Sequence, residues 1–359
     1  MNRILYVADA ASIHTRRWAE HYRDRGLDIH IASFRAAAIP GVQVHKLPTA
    51  GLGRAGYFLA IPILQRIARR LRPDVVHAHY LTSYGFLAAR AGLRPLVVTA
   101  WGSDALIAPK KSRLLRYFAS YAVMHADVVT TLADHMNASV AELGVPLEHI
   151  TSTPFGVDAQ FFRLAPMNAL EHQPLRLICT RNFDFIYDVG TLIRALAQIF
   201  SRGRQLVVDL VGAGPLRESL VALVKEMGLE SHINFHGHVE HQVLAGLLAD
   251  ADIFVTPALS DGNNVSLNEA MACGCFPIAS NIPANAQWIT DGENGYLYPA
   301  GDVMKLADAI EMAMDKRELR LLARTSNRAI VETRVDWRIC VKRMDDIYQQ
   351  VVGGKGSGI

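Results

Sequence analysis

Short apolar runs separated by amphipathic stretches of helical length recur along the whole chain. Residues 4–8, 28–33, 43–47, 74–79, 96–100, 127–132 and 149–153 read as strands in the first half. Between the first two lies a helical pattern whose inner face is Trp18, Ala19 and Tyr22 and which stops at Gly26; another spans about 57–71. A polar, Pro-containing segment then interrupts the rhythm as far as Pro174, and the pattern restarts. Strands are predicted at 175–181, 206–212, 233–237, 253–256 and 276–279, and helices at 189–200, 216–227, 241–249, 303–314 and 317–333. Strand and helix in alternation make parallel sheets with crossover helices. The expectation is an α/β protein of two Rossmann-like, doubly wound domains facing a cleft, with the ligand at the C-terminal ends of the strands. The domains are placed at 1–160 and 175–333, joined by a linker at 161–174. A last amphipathic helix, 334–352, is expected to cross back to the first domain, ahead of a flexible tail at 353–359.

One stretch departs from this plain alternation. In residues 257–277, P-A-L-S-D-G-N-N-V-S-L-N-E-A-M-A-C-G-C-F-P, a loop without bulky side chains opens on Asp261, and a helical pattern carries Glu269. Leu267, Ala270, Met271 and Gly274 fall on one side at helical spacing. A helix start presents free N–H groups and the positive end of its dipole, which suit a phosphate. Small residues let backbone approach a ligand, and the flanking carboxylates can accept from sugar hydroxyls. The same residues have a plainer reading, because Ser266 and Glu269 have the spacing of a capping box that merely starts a helix.

Composition narrows the field. With 359 residues, half of them apolar, the chain exceeds what one core usually supports. Its apolar runs are too short to span a bilayer, and the first is too short for a signal sequence. Four cysteines (Cys179, Cys273, Cys275, Cys340) form no disulfide framework, which points to the cytoplasm. Charge is uneven: residues 1–160 contain 18 Lys/Arg against 11 Asp/Glu, and the remainder 19 against 23. Arg66, Arg69, Arg70 and Arg72, and again Lys110, Lys111, Arg113 and Arg116, are clustered. Such clusters suit either a solvated helix face or contact with an anionic lipid surface, at the inner face of a membrane. No nucleic-acid partner is expected.

The motifs V-G-A-G-P-L-R (211–217), D-G-N-N-V-S-L-N-E-A-M-A-C-G (261–274) and D-G-E-N-G-Y-L (291–297), together with P-F-G-V-D (154–158), resemble the retaining glycosyltransferases of family 4, which have the GT-B fold. The resemblance covers most of the chain and is most specific in its second half. V-G-A-G-P alone also suits a dinucleotide fingerprint, but Arg217 stands where the third glycine belongs. The resemblance implies transfer of a hexose from a UDP- or GDP-type donor to a hydroxyl of a glycan, lipid-linked or small-molecule acceptor, with retained anomeric configuration. By that likeness Glu269 holds the donor ribose and Asp261 faces the transferred sugar. Gly262, Asn263, Asn264, Val265 and Ser266 line the sugar or distal phosphate. Arg181 neutralises the departing diphosphate, whose charge builds as the glycosidic bond breaks. Val239 lies where the family seats the base.

Four positions depart from the family pattern. Tyr187 replaces the Lys of R-x5-K, and Trp101 replaces a His in T-A-W-G-S-D. Asp261 is Asp and not Glu, and Ala11–Ser12 replaces a glycine pair after the first strand, leaving Ser12 as the donor-side residue there. His14, His79, Trp101 and Asp104, at strand-end loops, are the candidates for acceptor or sugar contacts. Asp250-Ala-Asp252 looks like the D-x-D metal motif of the other large glycosyltransferase fold, but it sits between a helix end and a strand, where Asp serves the turn. No metal or other cofactor is therefore expected. A nucleotide-sugar epimerase or a phosphorylase on the same fold stays open. So does a catalytically silent sugar-nucleotide-binding subunit, favoured by the missing Lys and His.

Overall fold

Aliphatic and β-branched runs form the strands, and every strand pair is parallel. The computed structural model describes residues 1–48, 56–164 and 173–354. It divides into two units, Met1–Phe155 with Cys340–Ile359, and Gly156–Ile339. In the first unit β1 (Arg3–Val7), β2 (Asp28–Ser33), β3 (Gln43–Lys46), β4 (Val75–His79), β5 (Leu96–Ala100), β6 (Val128–Thr131) and β7 (Ile150–Ser152) make one sheet ordered β3-β2-β1-β4-β5-β6-β7. The second contains β8 (Leu175–Cys179), β9 (Leu206–Val211), β10 (Ile233–Gly237), β11 (Ile253–Thr256), β12 (Phe276–Ser280) and β13 (Tyr296–Tyr298), ordered β10-β9-β8-β11-β12-β13. Each order grows outward from its first strand and then reverses, which is doubly wound topology. The switch points lie between β1 and β4 and between β8 and β11, where loops diverge and leave a crevice for a ligand.

Strands β4, β5 and β12 are buried at every position, as parallel strands covered by helices on both faces must be. In the second unit Leu192, Ile193, Leu196 and Ile199 of the helix Val189–Ser201 share one core with Val208, Leu210, Val255 and Ile278. Each such side chain contributes about 1.5–3 kcal/mol by leaving water.

The last helix, Trp337–Gly353, begins in the second unit, and from Cys340 onward it belongs to the first. Cys340, Val341, Met344, Ile347, Tyr348 and Val351 form its buried side. The Tyr348 hydroxyl lies 2.6 Å from His77 Nδ1 and 3.3 Å from the Tyr6 hydroxyl. His77 Nε2 reaches Thr99 Oγ1 at 2.6 Å, which in turn meets Thr130 Oγ1 at 2.6 Å. Burial pushes the His77 imidazole down to about 3, so it stays neutral and serves as a polar spacer within the sheet. Arg25 closes the outer edge by donating to both carboxylate oxygens of Asp345, at 2.9 and 2.8 Å.

Two boundaries differ from those expected. The first unit ends at Phe155, not at 160, because the next residues are held by the second. Val157 N donates to Val335 O at 2.9 Å, and Arg328 donates to the carbonyls of Ala159 and Phe162. The strand expected at 175–181 ends at Cys179, which leaves Arg181 in the loop beyond it. Of the linker placed at 161–174, residues 165–172 lie outside the described residues, as do 355–359 of the tail. Strand β13 follows the turn at 291–295 and was not anticipated; three residues are too few to show a period.

Candidate active site

The switch point of the second unit is occupied by the residues that carry the family resemblance. Arg181 follows β8, the 257–264 loop follows β11, and the helix Val265–Cys273 runs back from that loop. Arg181 is buried, and its guanidinium is divided among three neighbours. Nη1 donates to Asn264 Oδ1 at 2.7 Å, Nη2 donates to Asp261 Oδ2 at 2.5 Å, and one face lies 4.1 Å from the centre of the Tyr187 ring. The position that lost the family's lysine therefore supplies an aromatic face that holds the arginine without contributing a second charge. Tyr187 is itself seated on Ala258, Ile282 and Ala284.

Asn264 is the hub. Its Oδ1 caps the helix by accepting from Leu267 N at 3.1 Å, while its amide donates to Thr256 Oγ1 at 3.0 Å and to Asn285 Oδ1 at 2.9 Å. Asn285 donates in turn to the Ser280 carbonyl at 2.9 Å, which ties the loop to the end of β12. This corrects the capping-box reading. Asn264 is the cap, and Ser266, inside the first turn, donates to the Thr180 carbonyl at 3.3 Å. The backbone N–H of Val265, expected to face a ligand, donates to Asn263 O at 3.0 Å.

Around this hub several buried polar atoms have no protein partner: Thr180 Oγ1, Arg181 Nε, and both amide atoms of Asn263 and of Asn268. Buried polar groups are almost always satisfied, so orphans concentrated in two short, mutually bonded segments mark a place where a polar ligand completes the bonding. Gly262 and Asn263 are buried in the same loop. Glu269, one helical turn on, has a largely buried carboxylate 3.9 Å from His241 Nε2, and the His241 ring stacks on Phe161 at 4.8 Å. Val239 is half-buried in the loop between β10 and the helix His241–Ala249.

The glycines of V-G-A-G-P serve packing. A Cβ at Gly212 would stand 2.3 Å from the Arg181 carbonyl oxygen, and one at Gly214 would stand 2.4 Å from that of Phe183. The two loops are laced by Phe183 N to Ala213 O at 3.0 Å and Leu216 N to Phe183 O at 3.0 Å. The motif lets the end of β9 press against the Arg181 loop.

In the first unit, residues at and beyond the ends of β1, β4, β5 and β7 gather around Trp101. Its ring centre lies 4.5 Å from that of Tyr80, 4.7 Å from Phe155, 5.0 Å from His79 and 5.8 Å from His14. His14 lies flat on Phe155 at 4.1 Å. The Trp101 indole N–H is buried without a partner, whereas His79 is buried with Nδ1 3.2 Å from Thr15 Oγ1 and its imidazole is pushed well down by burial. Ser12 precedes the helix Ile13–Asp24, and its carbonyl accepts from Arg16 N at 3.0 Å. Asp104 is engaged within the protein. It is buried, and its oxygens accept from the backbone N–H groups of Leu81 at 2.7 Å and of Trp101 and Gly102 at 2.9 Å each. It clasps the loops after β4 and β5 together, while burial raises its pKa against those bonds.

The metal-like motif resolves the same way. Asp252 Oδ2 accepts from Arg176 N at 2.8 Å at the edge of β8, and Asp250 ends a helix. Cys273 and Cys275 are buried, with thiols pushed up by burial, Cys273 to about 12. Sequence reasoning missed Thr256, Asn285, Thr180 and Asn268. Only the asparagines of N-I-P-A-N at 281–285, just past β12, hint at one of them.

Comparison with known proteins agrees with this geometry. The family described as "Glycosyl transferase 4-like" matches residues 3–132, and "Glycosyl transferases group 1" matches residues 166–330. N-acetyl-alpha-D-glucosaminyl L-malate synthase of Bacillus anthracis is 26% identical, over 93% of this chain and 92% of that protein. Phosphatidyl-myo-inositol mannosyltransferase of Mycolicibacterium smegmatis is 27% identical, over 97% of this chain and 92% of that protein. Among solved structures, Anabaena HepE in complex with UDP and glucose superposes with a TM-score of 0.81 at 18% identity, over 98% of this chain and 100% of that one. Sucrose-phosphate synthase of Thermosynechococcus elongatus has a TM-score of 0.81 at 19% identity, over 99% and 100% of the two chains.

Proposed function

We propose, since this chain belongs to the GT-B glycosyltransferases of the family-4 type, that it moves a hexose from a nucleotide diphosphate sugar to an acceptor hydroxyl with retention at the anomeric carbon. The observation that carries the proposal is the Arg181 guanidinium. It is fixed by Asp261, Asn264 and Tyr187 at the start of a helix, amid buried polar atoms that lack partners. Relatives whose names specify a mannosyltransferase and a glucosaminyl malate synthase support the donor class, as does a structural neighbour holding UDP and glucose.

In this reading the diphosphate rests against the amino end of the helix Val265–Cys273 and takes its charge balance from Arg181. The bond from the anomeric carbon to the diphosphate breaks, and the acceptor oxygen bonds to that carbon on the same face. The acceptor's proton passes to the departing phosphate oxygen, so no protein nucleophile is needed. Arg181 is already rigid before charge develops, which is how a fixed cation lowers a barrier. Asp261 holds the arginine and borders the sugar, and Glu269 accepts from the ribose hydroxyls. His14 and Trp101 are the remaining candidates for acceptor contact in the first unit.

The test is transfer from UDP-, GDP- and ADP-hexoses, with donor binding followed by thermal shift, because a ligand that binds only the native state raises its melting temperature. One donor is expected to raise it and to give an α-linked product from an α-linked donor. Glu269→Gln should raise the KM for that donor about tenfold or more, while Asp261→Asn lowers kcat. Consumption of donor with no acceptor present and an epimeric sugar released would identify an epimerase. Equal slow rates in wild type and both variants would identify a silent binding subunit.

The arginine and the helix start also support metal-independent transfer. Protein treated with EDTA and assayed in EDTA should keep its full rate; loss of activity that magnesium or manganese restores would overturn this.

A further inference from the structure

The basic excess of the first unit is gathered on helices that also expose large apolar side chains. Residues 29–126 carry 13 Lys/Arg against two acids, Asp74 and Asp104. Asp104 is buried, and Asp74 is spent on the backbone N–H groups of Asn2 and Arg3. Two helices of this segment, Gly56–Leu71 and Arg113–Met124, contain no acid at all. They meet around Phe86. Phe58 of the first and Tyr117 of the second each stand 6.4 Å from its ring centre, edge-on, and Phe118 stacks on it at 4.1 Å. Tyr57, Tyr121 and Ala108 pack on the same cluster.

The outward side of this cluster is not polar. Phe58 and Tyr117, which reach the Phe86 ring, are 56% and 55% exposed, and Leu59 and Leu114 on the same two helices are 46% and 55% exposed. Single exposed apolar residues are commonplace, but a contiguous group rimmed by charge marks an interaction surface. The rim is cationic. Lys110 and Lys111 follow Ala108, Arg113 and Arg116 flank Leu114, and all four are exposed. No acid among the described residues pairs with Lys110, Lys111 or Arg113. On the other helix, Pro62, Arg66 and Arg69 continue the exposed stripe begun by Phe58, at helical spacing.

We propose that this face docks on an anionic lipid bilayer, with the rings of Phe58 and Tyr117 and the side chains of Leu59 and Leu114 in the headgroup region and the Lys/Arg rim on lipid phosphates. The charge selects the partner. A second copy of this chain would oppose cation to cation. A nucleic acid would meet the lysines but leave Leu59 and Leu114 without a counterpart. Among the described residues no helix is long and apolar enough to cross a membrane, so the contact is superficial and reversible. This inference goes beyond donor chemistry and does not rest on it.

The full chain is sedimented at low salt with phosphatidylcholine vesicles and with vesicles containing about one third phosphatidylglycerol. It should pellet with the anionic vesicles only and be released as salt is raised. Each basic residue at the surface strengthens binding roughly fivefold, so K110A/K111A/R113A should weaken it by well over tenfold. F58S/Y117S should weaken it about tenfold. Both variants should keep the wild-type melting temperature and the wild-type far-UV circular dichroism spectrum, which shows that the fold is intact. Equal pelleting with neutral vesicles, none with anionic ones, or indifference to both variants would overturn the proposal. So would oligonucleotide binding that the variants abolish while vesicles stay unbound, or a concentration-dependent dimer that F58S/Y117S dissolves.

Discussion

Arg181→Ala is expected to lower kcat for hexose transfer by about 10²–10³-fold, with kcat/KM falling in step, while the protein still folds. In the proposed reaction the guanidinium is the fixed charge beside the leaving diphosphate, and Asn264, Asp261 and Tyr187 hold it in place before a donor arrives. On that proposal, removing it deletes an interaction that strengthens only as the glycosidic bond breaks. Arg181→Lys should recover little of the rate. One ammonium cannot reach Asn264 and Asp261 through separate nitrogens while also presenting a flat face to Tyr187. Steady-state rates with saturating acceptor decide the matter; an alanine variant within twofold of wild type would remove Arg181 from the mechanism.

The largest effect on stability is expected at Asn264. Asn264→Ala removes a helix cap, worth about 0.5–2 kcal/mol. It also strips partners from Thr256 Oγ1, Asn285 Oδ1 and an Arg181 N–H in a fully buried setting. Each buried group left unsatisfied adds about 1–3 kcal/mol. The melting transition of the second unit should fall by roughly 10 °C or more. Asn264→Asp is the informative partner, because a carboxylate still caps the helix and accepts from Arg181 but cannot donate to Thr256 and Asn285. If the aspartate variant melts with wild type, the donor half of the hub carries no weight. If it melts with alanine, the ties to β11 and β12 matter more than the cap.

What the sequence disclosed follows from the range of the interactions involved. Strands such as β11 and β5 were legible because every position in them is apolar or β-branched, and helices such as Val189–Ser201 because burial repeats at a local period. The motif singles out Asp261, Glu269 and Arg181, and the fold brings Arg181 and Asp261 into one ion pair at the second switch point. The cap was misassigned because Ser266 and Asn264 both satisfy local preference. The choice was made by residues 83 and 21 positions away, Arg181 and Asn285, which a local pattern cannot show. In the sequence Tyr187 reads as the loss of a cation; in the fold its ring lies against the cation that remains. For the same reason Asp104 reads as a candidate for acceptor or sugar contact, although three backbone amides from two loops engage it. The domain boundary moved for a similar cause: Ala159 and Phe162 are claimed by Arg328, far along the chain.

The closing helix has a practical corollary for dissecting this enzyme. Part of what covers Tyr6 and His77 lies 342 and 271 positions along the chain from them, at Tyr348. A truncation after Phe155 therefore yields a fragment whose central strands lack their lid. An excised N-terminal module would need the stretch beginning at Cys340 grafted back, by circular permutation or as a separately supplied peptide.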